Sequence, residues 1–318
     1  MRSPSSVPVV HAYPDLGPMI PAARERLPAT EIVVIPDEAA FADSIGDVEV
    51  LFTFRPPTEH WARADSLRLL QMTGAGVDSV LPAVGLRDEV TICNAVGIHL
   101  PEMAEFVLGM VLSLHLGVPK LVDQQRAHDW TWVLHPALAG RRAVILGTGR
   151  IGAGCAELLR AVGLRVDGVS RSGAAVDGFD RVVTVERRME VLDGADIIVV
   201  LVPLTPETVG LVGRDELAAL APGSQLVDVS RGGIVDHDAL RWGLREGPLA
   251  AAALDVFDPE PLPADDPMWD EPNVLITPHV AALSSDYFDR LVDVLVENVE
   301  RLRDGRPLLN VVDRDRGY

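Results

Sequence analysis

The run RAVILGTGRIGAGCAELL, Arg142 to Leu159, carries the strongest chemical signal in the chain: an apolar segment breaks at Gly147, turns through Thr148, Gly149, Arg150 and Ile151 to Gly152, and continues with helical spacing. Glycines so spaced between a strand and a helix allow a tight turn, close approach of the backbone to a pyrophosphate, and packing of helix on strand, with N–H groups aimed at the anion. Gly147, Gly149, Arg150, Ile151 and Gly152 are therefore expected to bind a dinucleotide. A unit that prefers NAD places Asp or Glu about 20 residues further on to accept from the ribose hydroxyls. Here the next strand-like segment, Arg165 to Val169, ends in Ser170, Arg171 and Ser172. Two hydroxyls and a guanidinium suit a 2′-phosphate, which a carboxylate would repel. NADP(H) is the expected cofactor, with NAD(H) as the alternative.

Ligands of open α/β sheets bind beyond the carboxyl ends of the strands, and four such places carry anion-binding or proton-transferring groups. Gln225 to Val229 runs into Ser230, Arg231, Gly232 and Gly233; Ala252 to Leu254 into Asp255 and then Glu260; Val274 to Thr277 into Pro278 and His279; Leu69 to Met72 into Thr73, Gly74, Ala75 and Gly76. An arginine, carboxylates, a histidine and a second glycine turn are thereby expected on strand-end rims.

The elements that must position these groups alternate in βα order. Short apolar runs at Val9 to His11, Ile32 to Ile35, Val48 to Phe52, Leu69 to Met72 and Val90 to Cys93 predict a small parallel sheet. A single long helix is expected from Pro101 to about Gln125, with a broad apolar face. From Ala143 the alternation resumes through seven strand candidates, of which Ile197 to Val202 is apolar throughout, as a strand covered on both faces should be. A last helix, about Ser285 to Arg303, places Phe288, Leu291, Val292, Leu295, Val299 and Leu302 three or four residues apart and is expected to return to the first sheet. The fold class expected is α/β, with two doubly wound parallel-sheet domains: a Rossmann cofactor domain, residues 100–283, inserted into a flavodoxin-like substrate domain, residues 1–99 and 284–318.

Several of these motifs occur together and in order: GAGVD at the glycine turn after Met72, VILGTGRIG, VPLTPET from Val202, VDVSRGGIVD from Val227, LDVFDPEP from Leu254 and TPH at Thr277 to His279. In this the chain resembles the D-isomer-specific 2-hydroxyacid dehydrogenases over nearly its whole length. Through RPP at Arg55 to Pro57, GAGVDSVL, EPLPADDPMW and ITPHVAA it is similar to the glyoxylate/hydroxypyruvate reductase A branch. The resemblance implies a catalytic set of Arg231, Glu260 and His279, and reduction of a small 2-keto acid to its 2-hydroxy acid. Such chemistry needs a hydride at the carbonyl carbon, a proton for its oxygen and a cation for the carboxylate. Imidazole is suited to giving the proton near neutral pH, Glu260 would orient the ring, and Arg231 would clamp the carboxylate and polarise the carbonyl. The resemblance further implies that the Gly74, Ala75 and Gly76 amides bind the same carboxylate, that Val202, Pro203 and Val229 line the cofactor, and that Asp255 meets the nicotinamide carboxamide. Two alternatives stay open: an NAD-dependent dehydrogenase of the D-lactate or phosphoglycerate type, and a corepressor-like protein that senses dinucleotide to recruit partners.

Composition limits the partners. A formal charge of −19 among 318 residues disfavours nucleic acid and anionic membranes, and Lys120 is the sole lysine, leaving anion recognition to arginine. Cys93 and Cys155 lack metal-ligand spacing, so free buried thiols and no metal site are expected. The N-terminal MRSPSSVPVV has no continuous apolar core, and a cytoplasmic protein is expected. By family resemblance it should be a homodimer paired through its cofactor domain. Trp130 and Trp132, isolated in sequence, are read as packing anchors by default, without an assigned role.

Overall fold

The computed structural model describes residues 8–317; the first seven residues of the N-terminal MRSPSSVPVV stretch lie outside it. The chain forms two compact units, one running to Ile98 and resuming at Ser284, the other His99–Leu283.

In the first unit β1 (Val10–Tyr13), β2 (Ile32–Val34), β3 (Val50–Thr53), β4 (Leu69–Met72) and β5 (Thr91–Cys93) form a wholly parallel sheet in the order β2-β1-β3-β4-β5. This is the flavodoxin-like order. β3 and β4 are buried at every residue, as a sheet covered on both faces requires. The terminal helix Tyr287–Asp304 does return to this sheet: Leu291, Val292, Leu295 and Val299 pack with Met19, Ile20 and Ala23 of the helix Met19–Arg26. A polar tie fixes the register. Buried Asn298 donates to Gln71 Oε1 at 2.7 Å and accepts from the Leu309 N–H at 2.7 Å, so a buried amide is satisfied at both ends. Phe288, expected on the apolar face, is instead exposed, because it lies in the first turn.

In the second unit β6 (Arg142–Leu146), β7 (Arg165–Ser170), β8 (Arg181–Thr184), β9 (Ile197–Val200), β10 (Ser224–Asp228), β11 (Leu249–Leu254) and β12 (Val274–Ile276) are parallel in the order β12-β11-β10-β9-β6-β7-β8. Strand order reverses between β6 and β9, which creates the crevice where such sheets take their ligands. The single helix expected from Pro101 to Gln125 is two. Glu102–His115 buries Ala104, Val107, Val111 and Leu114 against the helix Arg150–Ala161, whereas Val118–Ala127 buries nothing. Gly117, at φ 67°, sits in the left-handed region, and the pair is bent by 58°. Apolar spacing continues across this break, so the periodicity alone could not reveal it. Among the described residues no single helix is long and apolar enough to cross a membrane. Cys93 and Cys155 are free and buried, and burial pushes both thiols up to about 12.

Candidate active site

All the charged groups of the candidate site belong to the second unit. β6 ends in Gly147, at φ 111°, and Gly149 stands at the start of the helix Arg150–Ala161, which has no side-chain cap. The first-turn amides of a helix lack partners within it and lie at the positive end of its dipole. Gly152 lets that helix close on the turn, since a Cβ there would lie 2.0 Å from the Gly147 carbonyl oxygen; a Cβ at Gly149 would meet only open space. The result is a cradle for an anion, shaped for the pyrophosphate of a dinucleotide.

Sheet order puts the ends of β7 and β9 on either side of this turn. β7 ends at Ser170, whose Oγ accepts from the Gly173 N–H at 3.1 Å; Ser172 Oγ accepts from the Ala174 N–H at 3.3 Å, and Arg171 lies exposed between them. After β9 comes Val202. The Pro203 carbonyl accepts from Thr208 Oγ1 at 2.7 Å, and Thr208 Oγ1 accepts in turn from the Thr205 N–H at 2.8 Å. That turn presents Glu207, overlooked in the sequence. The Thr205 hydroxyl and Glu207's own backbone hold its carboxyl below the usual range, and the Arg171 guanidinium adds to this.

β10, β11 and β12 are adjacent, and the loops that follow them carry Arg231, Asp255 with Glu260, and His279. His279 Nδ1 lies 3.0 Å from Glu260 Oε2 and 3.1 Å from Oε1. Glu260 Oε1 also accepts from the Phe257 N–H at 3.1 Å, so the carboxylate is fixed before it fixes the ring. Glu260 being a carboxylate, Nδ1 is then the nitrogen that donates to it. His279 itself is held in the left-handed region, φ 53°. The segment around it hangs on Asp255. This buried carboxylate accepts from Thr277 Oγ1 at 2.6 Å, the Val280 N–H at 2.8 Å and the Ala281 N–H at 2.9 Å, while its carbonyl accepts from the His279 N–H at 2.9 Å. A carboxylate offers about four acceptor positions, so these three donors leave one on Asp255. Arg231 Nη1 donates to the Ser230 carbonyl at 2.7 Å. Gly232 presses its loop against the Glu260 loop, because a Cβ there would lie 2.2 Å from the Phe257 carbonyl. Val229 is buried, its N–H donating to the Val200 carbonyl at 3.2 Å. The arrangement thus places a cation on the loop after β10 and an oriented imidazole on the loop after β12, with the Glu260 loop following the strand between them.

Residues 108–281 match the D-isomer specific 2-hydroxyacid dehydrogenase, NAD binding domain. The chain belongs to this family. It is 34% identical over 272 residues to a glyoxylate/hydroxypyruvate reductase A of Serratia proteamaculans, covering 83% of this chain and 86% of that protein. A D-isomer specific 2-hydroxyacid dehydrogenase of Xanthobacter autotrophicus Py2, solved with NADPH and MES, superposes with a TM-score of 0.85 at 33% identity, over 98% of this chain and 100% of that one. An NADPH-dependent glyoxylate/hydroxypyruvate reductase of Sinorhizobium meliloti, solved with NADP and sulfate, gives 0.86 at 30% identity, over 98% and 99%. The protein is an NAD(P)-dependent 2-hydroxyacid dehydrogenase, with a Rossmann domain inserted in a substrate-binding domain and a small hydroxy or keto acid as substrate.

The remaining expected positions lie in the first unit. The Gly74 carbonyl accepts from the Ala95 N–H at 2.9 Å, and the Ala75 carbonyl from Asn94 Nδ2 at 2.9 Å. The carbonyls of Gly74 and Ala75 are thereby tied into their own unit. Trp130 and Trp132 do not pack: they are 94% and 83% exposed. The segment after Ala127 lies on the surface rather than over a core, so neither is a packing anchor within its own chain.

Proposed function

We propose that this dehydrogenase is an NADPH-preferring reductase of glyoxylate and hydroxypyruvate, with Arg231, Glu260 and His279 as its catalytic set. The observation that carries the reading is the His279–Glu260 pair at 3.0 Å beside the Arg231 loop, on a sheet whose second cofactor strand ends in Ser170, Arg171 and Ser172 rather than a carboxylate. The relatives named for glyoxylate and hydroxypyruvate, one of them solved with NADP, support the choice of substrate and cofactor.

The bound nicotinamide supplies a hydride to the carbonyl carbon. Arg231 holds the substrate carboxylate and draws electron density toward the carbonyl oxygen. As the C=O π bond breaks, His279 gives its Nε2 proton to that oxygen, and Glu260 keeps the ring aligned through Nδ1. The Gly74, Ala75 and Gly76 amides are assigned to the carboxylate as well, and Val202, Pro203, Val229 and Asp255 to the cofactor. Loss of NADPH absorbance on adding glyoxylate or hydroxypyruvate tests the reading. Turnover with neither, or with NADH alone, overturns it.

We also propose a homodimer formed by the second unit. Leu121, Val122, Trp130, Trp132 and Leu134 are exposed together along Val118–Ala127 and the segment after it, a density of large apolar groups that fits burial against a second copy. Light scattering should give twice the chain mass at micromolar concentration, and a Trp130→Ser/Trp132→Ser double variant should shift toward monomer. A monomeric wild-type protein would contradict the assignment.

One pH dependence arises from this site. Burial pushes the Asp228 carboxyl up to about 7, Ser230's two hydrogen bonds acting against the rise and Asp255 adding to it. An unfolded Asp titrates near 4, roughly. Between those values the folded state holds a proton that the unfolded state has lost, so this contribution to stability is present at low pH and is lost as pH rises through about 7. Asp228→Asn removes the ionisation. The variant should therefore gain melting temperature relative to wild type, by about a few degrees, on going from pH 5 to pH 8. A difference independent of pH would contradict the buried, proton-holding carboxyl.

A further inference from the structure

Asp228 is the last residue of β10 and is 1% exposed. Its Oδ1 accepts from the Ser230 N–H at 3.0 Å and also from Ser230 Oγ. The Ser230 carbonyl in turn accepts from Arg231 Nη1 at 2.7 Å. A chain of hydrogen bonds thus runs from the buried carboxyl, through one serine, to the guanidinium. Gly232, seated against the Phe257 and Asp258 backbone, stops the far side of the same turn from drifting. On the neighbouring strand the Asp255 N–H donates to the Asp228 carbonyl at 2.9 Å, and Asp255 holds the loop of His279. Two buried aspartates at adjacent strand ends therefore each secure one loop of the candidate site.

We propose that Asp228 is a positioning residue for the reaction, aiming Arg231 at the substrate carboxylate through Ser230. This rests on the reading of Arg231 as the carboxylate clamp. The groups whose charge acts on Asp228 are Asp255 and Arg231. What the turn requires of residue 228 is an acceptor oxygen, which an amide also offers. A carboxyl without charge, or Asn, serves the turn; Ala does not.

The experiment compares Asp228→Ala and Asp228→Asn with wild type. In the Ala variant KM for glyoxylate should rise about tenfold, the scale of a lost charged hydrogen bond, while kcat falls less and the NADPH dissociation constant, read by fluorescence, stays within about twofold. The Asn variant should restore KM. An unchanged KM in Ala, equal losses of keto-acid and NADPH affinity, or failure of Asn to restore would each overturn the proposal. Crystal structures of the two variants provide a readout that does not depend on the substrate. The Ser230–Arg231 turn should move in Ala and hold in Asn, and a turn unmoved in Ala overturns the role of Asp228. Wild-type protein that reduces no 2-keto acid would refute the assigned function instead, leaving that structural comparison to decide the positioning.

Discussion

Replacing His279 by Gln should lower the rate of glyoxylate reduction by about 10²- to 10⁴-fold, the scale of losing a positioned general acid. The hydride reaches the carbonyl carbon only as charge builds on the oxygen, and a proton on Nε2 is what relieves that charge. Gln can still donate a hydrogen bond to Glu260, in place of Nδ1 at 3.0 Å, so the loop geometry is preserved. It cannot release a proton. Asp255 holds the 277–281 segment through the Val280 and Ala281 N–H groups and the Thr277 hydroxyl, none of which involves the His279 side chain. NADPH affinity should therefore change little, and the loss should fall on kcat and kcat/KM together. Single-turnover measurements with saturating NADPH separate chemistry from binding. Near-normal turnover would remove His279 from the mechanism.

Arg171→Ala should weaken NADPH by about 10- to 150-fold, the worth of one hydrogen bond to a charged group, and should leave NADH almost unaffected. The guanidinium stands exposed at the end of β7, between two serines whose hydroxyls are partly engaged with the Gly173 and Ala174 amides. A 2′-phosphate brings two negative charges and several acceptor oxygens to this corner, and NAD brings only a hydroxyl. Glu207 works against the phosphate, because its carboxylate feels the same guanidinium. Glu207→Gln is expected to move the preference further toward NADPH. Titration of each variant with NADPH and NADH by fluorescence checks both expectations. Equal losses for the two cofactors in Arg171→Ala would refute the assignment of Arg171 to the 2′-phosphate.

The family and the α/β fold were legible in the sequence because their signals are local. The turn at Gly147, Gly149 and Gly152 is written in one stretch, and β9 shows its burial on both faces by an unbroken run of Ile and Val. Parallel strands of this kind place whatever follows them on the carboxyl edge, so the spacing of Arg231, Asp255 and His279 after their strands could be read without coordinates. Contacts between distant residues carry no such local mark. Which carboxylates are buried side by side depends on β10 lying next to β11, so Asp228 read as one more strand residue until its neighbour Asp255 was in place. Glu207 feels the charge of Arg171 because the loops after β7 and β9 flank the turn that follows β6, although the two residues are 36 positions apart in sequence. The break at Gly117 and the exposure of Trp130 and Trp132 escaped for a related reason. Apolar periodicity says that a face seeks cover; only tertiary packing decides whether this chain supplies it.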